Sequence, residues 1–196
     1  MKFSNGCWLQ KEGCSAFGPA EAYFIKVSDK EVTICAPTNP VYNRGCTLGG
    51  INLTIKITAP HKEVLRVQTY HHLGTVKKNP EFELNINNQP LEVTEEENLL
   101  IIKTGLLSLE ITKNPWSMTY KRDGKVLTKS TGKDLAIMKT DWKGDAYDKG
   151  DLTDTYMRQQ LSIGVGELLY GTGERFTPFV KNGQSMDMWN ADGGTS

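Results

Sequence analysis

The chain lacks several features that would fix its class at once. No run of apolar residues approaches the 18 or so that a membrane-spanning helix needs, so no membrane partner is expected. The opening MKFSNGCWLQ has no apolar core of the kind a signal peptide carries. Charge of one sign is not in surplus: 23 basic and 23 acidic residues give a net charge of zero, so nothing draws a phosphate backbone and no nucleic-acid partner is expected. Cysteine is sparse, at positions 7, 14, 35 and 46, with no C-x-x-C pair. That spacing fits free thiols in a reducing, cytoplasmic setting and no metal knuckle. The three histidines, His61, His71 and His72, form no H-x-H or H-E-x-x-H motif. The adjacent pair would point to opposite faces of a strand and could not share one ion.

Sustained periodicity of 3.6 residues is missing too, so helix should be scarce, and period two takes its place. Residues 22–27 and 31–36 flank Ser28-Asp29-Lys30 as a hairpin. Ile51, Leu53, Ile55 and Ile57 alternate with polar residues, and 64–70 follows after a turn at Pro60-His61. Residues 99–102 and 106–111 make another hairpin across Lys103-Thr104-Gly105. Residues 116–120 turn through Arg122-Asp123-Gly124-Lys125 into Val126-Leu127. Trp8 and Phe17 are expected anchors in the first 20 residues. Residues 130–155, rich in Asp, Lys and Gly, read as a long polar excursion, after which 156–163 and 167–170 return to strand. Many short strands between Gly, Pro, Asn and Asp turns give an all-β chain: one antiparallel β-sandwich domain over 1–196.

Most motifs dissolve on inspection. Gly164-x-Gly166 and Gly171-x-Gly173 start like dinucleotide loops, but Leu169 and Phe176 stand where a third glycine belongs, and no strand–helix context follows. No cofactor is expected. Asp141, Asp145, Asp148, Asp151 and Asp154 lack the alternating ligand spacing of a calcium loop and read as a solvated acidic stretch, so no metal is expected.

The stretch that carries chemistry is 161–196. Trp189-Asn190-Ala191-Asp192-Gly193-Gly194 combines a flat apolar ring, amide and carboxylate hydrogen-bonding groups, and two glycines that let a loop enter a crowded pocket. It reads either as a loop for a sugar-like polar ligand or as an exposed turn with Trp189 packed on the sandwich. Gly171 and Gly173 shape its entry. Glu174-Arg175 reads as an ion pair fixing that entry, with ligand contact as the other option. Asp187 and Asp192 lie on one terminal loop with no scaffold beyond it, poorly placed for the two-carboxylate geometry of a glycosidase, so no catalytic residue is assigned. A loop of this composition that stops without a following element reads as part of a larger protein.

At this point the residues become specific. Glu167-Leu168-Leu169-Tyr170-Gly171-Thr172-Gly173-Glu174-Arg175-Phe176, then Lys181-Asn182-Gly183-Gln184 and Trp189-Asn190-Ala191-Asp192-Gly193-Gly194-Thr195, closely resemble the N-terminal domain of glycoside hydrolase family 31. Within it the likeness is greatest to bacterial α-xylosidases, with α-glucosidases as relatives. The opening Met1-Lys2-Phe3-Ser4-Asn5-Gly6 and the Asn114-Pro115-Trp116-Ser117-Met118 stretch are similar as well. The resemblance implies a β-sandwich of galactose-mutarotase-like fold, cut short of its last strands, ahead of a (β/α)8 barrel that supplies both catalytic aspartates and is absent here. It implies that Asp192 faces the substrate, with Trp189 and Asn190 shaping the loop and Gly193 and Gly194 positioning it. The partners so implied are an α-linked xylose or glucose substrate in the full-length enzyme, the barrel, and, where edges stay uncovered, a second copy of the chain. Two other classes compete: a stand-alone carbohydrate-binding module, and a structural or oligomerisation domain.

Overall fold

The computed structural model describes residues 9–71, 84–140, 154–173, 176–186 and 188. The chain divides into two compact units, Glu12–Ser162 and a second made of Met1–Lys11 with Ile163–Ser196. The first unit holds twelve strands: β1 (Cys14–Phe17), β2 (Phe24–Val27), β3 (Glu31–Pro37), β4 (Asn52–His61), β5 (Val64–Tyr70), β6 (Glu92–Glu95), β7 (Leu99–Thr104), β8 (Leu107–Thr112), β9 (Ser117–Arg122), β10 (Lys125–Thr131), β11 (Leu135–Thr140) and β12 (Asp154–Gln159). They form three antiparallel sheets, ordered β2-β3-β4-β5, β10-β9-β8-β7-β6 and β1-β11-β12. Among the described residues the one helical element is a 3-10 turn, Arg44–Leu48. Its start is capped by Asn43, whose side chain accepts from the Gly45 N–H at 2.9 Å.

Period-two sequence places one core between two sheets. On β3, Val32, Ile34 and Ala36 are fully buried and the residues between them are not. Ile34 sits opposite Ile55 and Val32 opposite Ile57, so β4 adds its apolar set to the same face. Leu100 and Ile102 of β7, Leu109 and Ile111 of β8 and Met118 of β9 join them in a single cluster with Trp116, Leu135 and Ile137. Each such side chain stabilises the fold by roughly 1.5–3 kcal/mol through burial. The antiparallel sandwich expected from the sequence is therefore the observed architecture.

Three local expectations change. Residues 130–155 are not one polar excursion: β11 runs through them as the middle strand of its sheet, with Leu135, Ala136, Ile137 and Met138 all buried. Buried on both faces, β11 shows an unbroken apolar run instead of alternation, and a search for period two passes over it. Residues 141–153 lie outside the described set, as do Trp8 and His72. The turn after β4 is not at Pro60-His61; the strand continues to His61 across a register shift after Thr58, and the chain reverses at Lys62-Glu63. Pro60 is tolerated there because the register is already broken. Residues 167–170 form no strand; what holds them belongs to the second unit.

Candidate functional site

The described part of the candidate loop region spans 163–173, 176–186 and 188. A side chain does the work of a missing strand for residues 167–170. The Asn182 Oδ1 accepts from the Leu169 N–H at 2.8 Å, while its Nδ2 donates to the Glu167 carbonyl at 2.9 Å. The Lys181 N–H donates to the Leu169 carbonyl at 2.8 Å. One amide thus offers the donor–acceptor pair that a neighbouring backbone would, which satisfies the segment without a ladder. The Lys181 ammonium ties the approach from the other side, to the Thr177 hydroxyl and the Pro178 carbonyl, each at 2.8 Å. The Tyr170 and Phe179 rings meet in a tilted pair with centroids 5.0 Å apart.

Gly171 and Gly173 bound the bend that follows, with φ of 125° and 73°, and Thr172 between them also has positive φ, 70°. No heavy atom lies within 4 Å of where a Cβ would stand on either glycine, so the demand is conformational and not one of space. Glu174, Arg175, Trp189, Asn190, Asp192, Gly193 and Gly194, the rest of the loop singled out in the sequence, lie outside the described residues, and so does Asp187. Much of the apolar surface of the described tail is open: Val165, Leu168, Tyr170, Phe176, Phe179 and Met188 are all exposed.

Sequence reasoning missed a second feature, in the first unit. Across the outer face of the β2-β3-β4-β5 sheet, Phe24 aligns with Cys35, Cys35 with Thr54 and Thr54 with Tyr70. Beside that row Pro37 pairs with Asn52. Farther along, the face turns polar, where the Lys56 ammonium meets the Glu31 carboxylate at 3.1 Å. Over the aromatic end lies the connection 38–51 with its 3-10 turn, held partly by the Glu21 carboxylate, which accepts from the Val41 N–H at 2.8 Å. A cleft of about 350 Å³ opens between them, lined by Tyr23, Phe24, Cys35, Val41, Cys46 and Asn52 among others. Backbone hydrogen bonds at Tyr42 and Asn43 hold the Cys46 thiol below the usual range for cysteine. Its contributors lie at 23–24, 35–37 and 41–52, too far apart in sequence to read as a motif. Among the described residues no group of three or more His, Cys, Asp or Glu could hold a metal ion, and no helix is long and apolar enough to cross a membrane.

With this geometry in hand, comparison with known proteins defines the class. The family model described as the glycosyl hydrolase 31 N-terminal galactose mutarotase-like domain matches residues 54–196. The chain belongs to that family. It is similar, at 35% identity over its whole length, to the α-xylosidase XylQ of Lactiplantibacillus pentosus and to an α-xylosidase of Emericella nidulans. It spans 24% and 26% of those proteins, about a quarter of each. Among solved structures it resembles the GH31 dextranase FjDex31A of Flavobacterium johnsoniae with a TM-score of 0.57 and 18% identity, over 91% of this chain and 19% of that one. That likeness is one of fold.

Proposed function

We propose that this chain is the non-catalytic N-terminal domain of a retaining α-glycosidase that hydrolyses terminal α-xylosides or α-glucosides in the cytoplasm. In this reading residues 1–196 act as one domain that packs on a catalytic barrel and supplies a substrate-contacting loop around Asp192, with Trp189 and Asn190 shaping it. The carrying observation is the 35% identity across the whole chain to two α-xylosidases of which it spans only a quarter. The exposed apolar residues along 163–188 support it, because a face of that kind is one that another part of the protein covers. The free thiols of Cys14, Cys35 and Cys46 agree with a reducing compartment.

The division of labour follows from what catalysis asks of a scaffold. The substrate must sit within a fraction of an ångström of its reactive pose, and rigid elements hold such a pose better than free loops do. The Gly171–Gly173 bend and the Asn182 bracket are the described features that lead toward that loop. A carboxylate-to-hydroxyl hydrogen bond at the substrate is worth on the order of 1.5–3 kcal/mol. Asp192→Ala in the full-length enzyme is therefore expected to lower kcat/KM by about 10- to 100-fold with the melting temperature unchanged. Steady-state kinetics on aryl α-xyloside and α-glucoside measure this, and an unchanged kcat/KM would remove Asp192 from substrate binding.

A further inference from the structure

The cleft over the outer face of β2-β3-β4-β5 has three properties that together select a ligand. The first is charge. No Asp, Glu, Lys, Arg or His lines it, although charged residues make up 23% of the chain. An anion or cation entering it would lose water and find no counter-charge, so the ligand is neutral.

The second property is the apolar surface on offer. Tyr23 and Phe24 stand at the cleft wall and are each 56% exposed, while on the sheet's other face the apolar side chains of β3 and β4, Val32, Ile34, Leu53, Ile55 and Ile57 among them, are fully buried. The rings are not part of the core, and they leave a flat apolar surface for a partner of matching shape. The third is directional. Asn52, Thr47 and Gly49-Gly50 also line the space and carry hydrogen-bonding groups; the Thr47 hydroxyl donates to the Arg44 carbonyl at 2.7 Å and so is left to accept. A few placed polar groups among apolar and aromatic walls, in a space of about 350 Å³, describe a small-molecule site.

We propose that this cleft binds a neutral sugar, one pyranose ring of an α-linked xylo- or gluco-oligosaccharide, with its C–H face against Tyr23 and its hydroxyls on Asn52 and Thr47. A pyranose has an apolar face and a rim of hydroxyls, and it carries no charge, so it matches all three properties. The choice of a sugar among neutral ligands rests on the glycosidase reading above; the existence of a neutral-ligand site does not.

Cys46 supplies the readout, because its thiol lines the cleft and is partly exposed. Alkylation of the chain with iodoacetamide at neutral pH, followed residue by residue with mass spectrometry, reports whether the cleft is occupied. Rising isoprimeverose, xylose or glucose should slow the reaction at Cys46 several-fold and saturably. Cys14, which does not line the cleft, should be unaffected. Mannitol, an open-chain polyol with no ring face, should not protect. Tyr23→Ala should weaken the apparent affinity by about 10-fold, the loss of one aromatic face. Since Tyr23 is an exposed side chain, that variant is expected to fold. Absence of protection by all three sugars, or protection that is equal in Tyr23→Ala or shared by mannitol, would overturn the proposal. Protection at Cys46 together with an Asp192→Ala enzyme of normal kcat/KM would keep the cleft and remove the loop role. A crippled Asp192→Ala enzyme with no protection at Cys46 would do the reverse.

Discussion

At the scale of single residues, the tightest constraint in the first unit is one where no side chain fits. A Cβ added to Gly18 would stand 1.7 Å from the Gly132 carbonyl oxygen and 2.9 Å from that of Leu135. One on Gly132 would come within 2.7 Å of the Pro19 carbonyl. The obstacles are backbone atoms, and they are themselves pinned: the Trp116 N–H donates to the Ala20 carbonyl and the Gly132 N–H to the Trp116 carbonyl, both at 3.1 Å. Nothing there can swing aside as a long side chain would. Gly18→Ala is thus expected to cost about 3 kcal/mol or more, a large share of a domain's stability. Equilibrium urea unfolding measures it, and a loss below about 1 kcal/mol would mean that these segments separate more easily than the packing indicates.

At the scale of elements, the first unit's two facing sheets are joined at one end by Glu63, in the turn between β4 and β5. Its carboxylate accepts from the Leu106 N–H at 3.4 Å and from the Arg122 Nη2 at 2.8 Å, while its own N–H donates to the Thr104 hydroxyl at 3.3 Å. The Leu106 N–H and then the Arg122 guanidinium hold its carboxyl below the ordinary glutamate range. A carboxylate whose folded pKa is depressed adds stability that is fully present above its unfolded pKa and lost as pH falls through the folded value. The gap in melting temperature between the natural chain and Glu63→Gln should therefore be open at neutral pH and close on acidification below the ordinary carboxylate range. Salt should narrow it, since the pair is partly exposed to solvent. A gap independent of pH would assign the clip's effect to shape alone.

These two features also show what the sequence could and could not reveal. The hairpins around β2, β3, β7, β8, β9 and β10 were legible because Ile34, Ile55, Leu109 and their neighbours alternate with polar residues, and alternation is a local signal. β11 was hidden by being buried on both faces. The strand expected at 167–170 failed because its apolar residues describe a segment bracketed by Asn182, and that contact is invisible until the chain folds. Glu63 and the cleft at Tyr23, Cys46 and Asn52 were missed for the same reason: their partners are distant in sequence. Ahead of the candidate loop, the sequence showed a glycine-rich bend at Gly171 and Gly173, and both have positive φ.

At the scale of the whole molecule, the relation between core and surface is uneven. The first unit buries Ile34, Leu53, Ile55, Ile57, Leu100, Ile102, Leu109 and Ile111 completely and leaves Leu48, Leu106, Leu127 and Leu161 exposed, while in the second unit Leu168, Phe176 and Phe179 are exposed. The exposed apolar residues of the tail are ones that the proposed contact with a barrel would cover.

The order β1-β11-β12 has a mechanical meaning. Cys14 and Asp154 both lie opposite Thr140, so β1 and β12 run the same way on either side of β11. The chain enters this sheet at the Thr140 end and leaves it, at Gln159, beside Leu135. Tension applied between Cys14 and Gln159 would pull the two outer strands in opposite senses along β11. Four residue pairs on one side and six on the other would then carry the load together and could not peel apart one at a time. A sheet loaded lengthwise in this way acts as a clamp. Single-molecule stretching from those two positions should show one abrupt, high-force rupture, and a gradual low-force opening would show that the strands unzip instead.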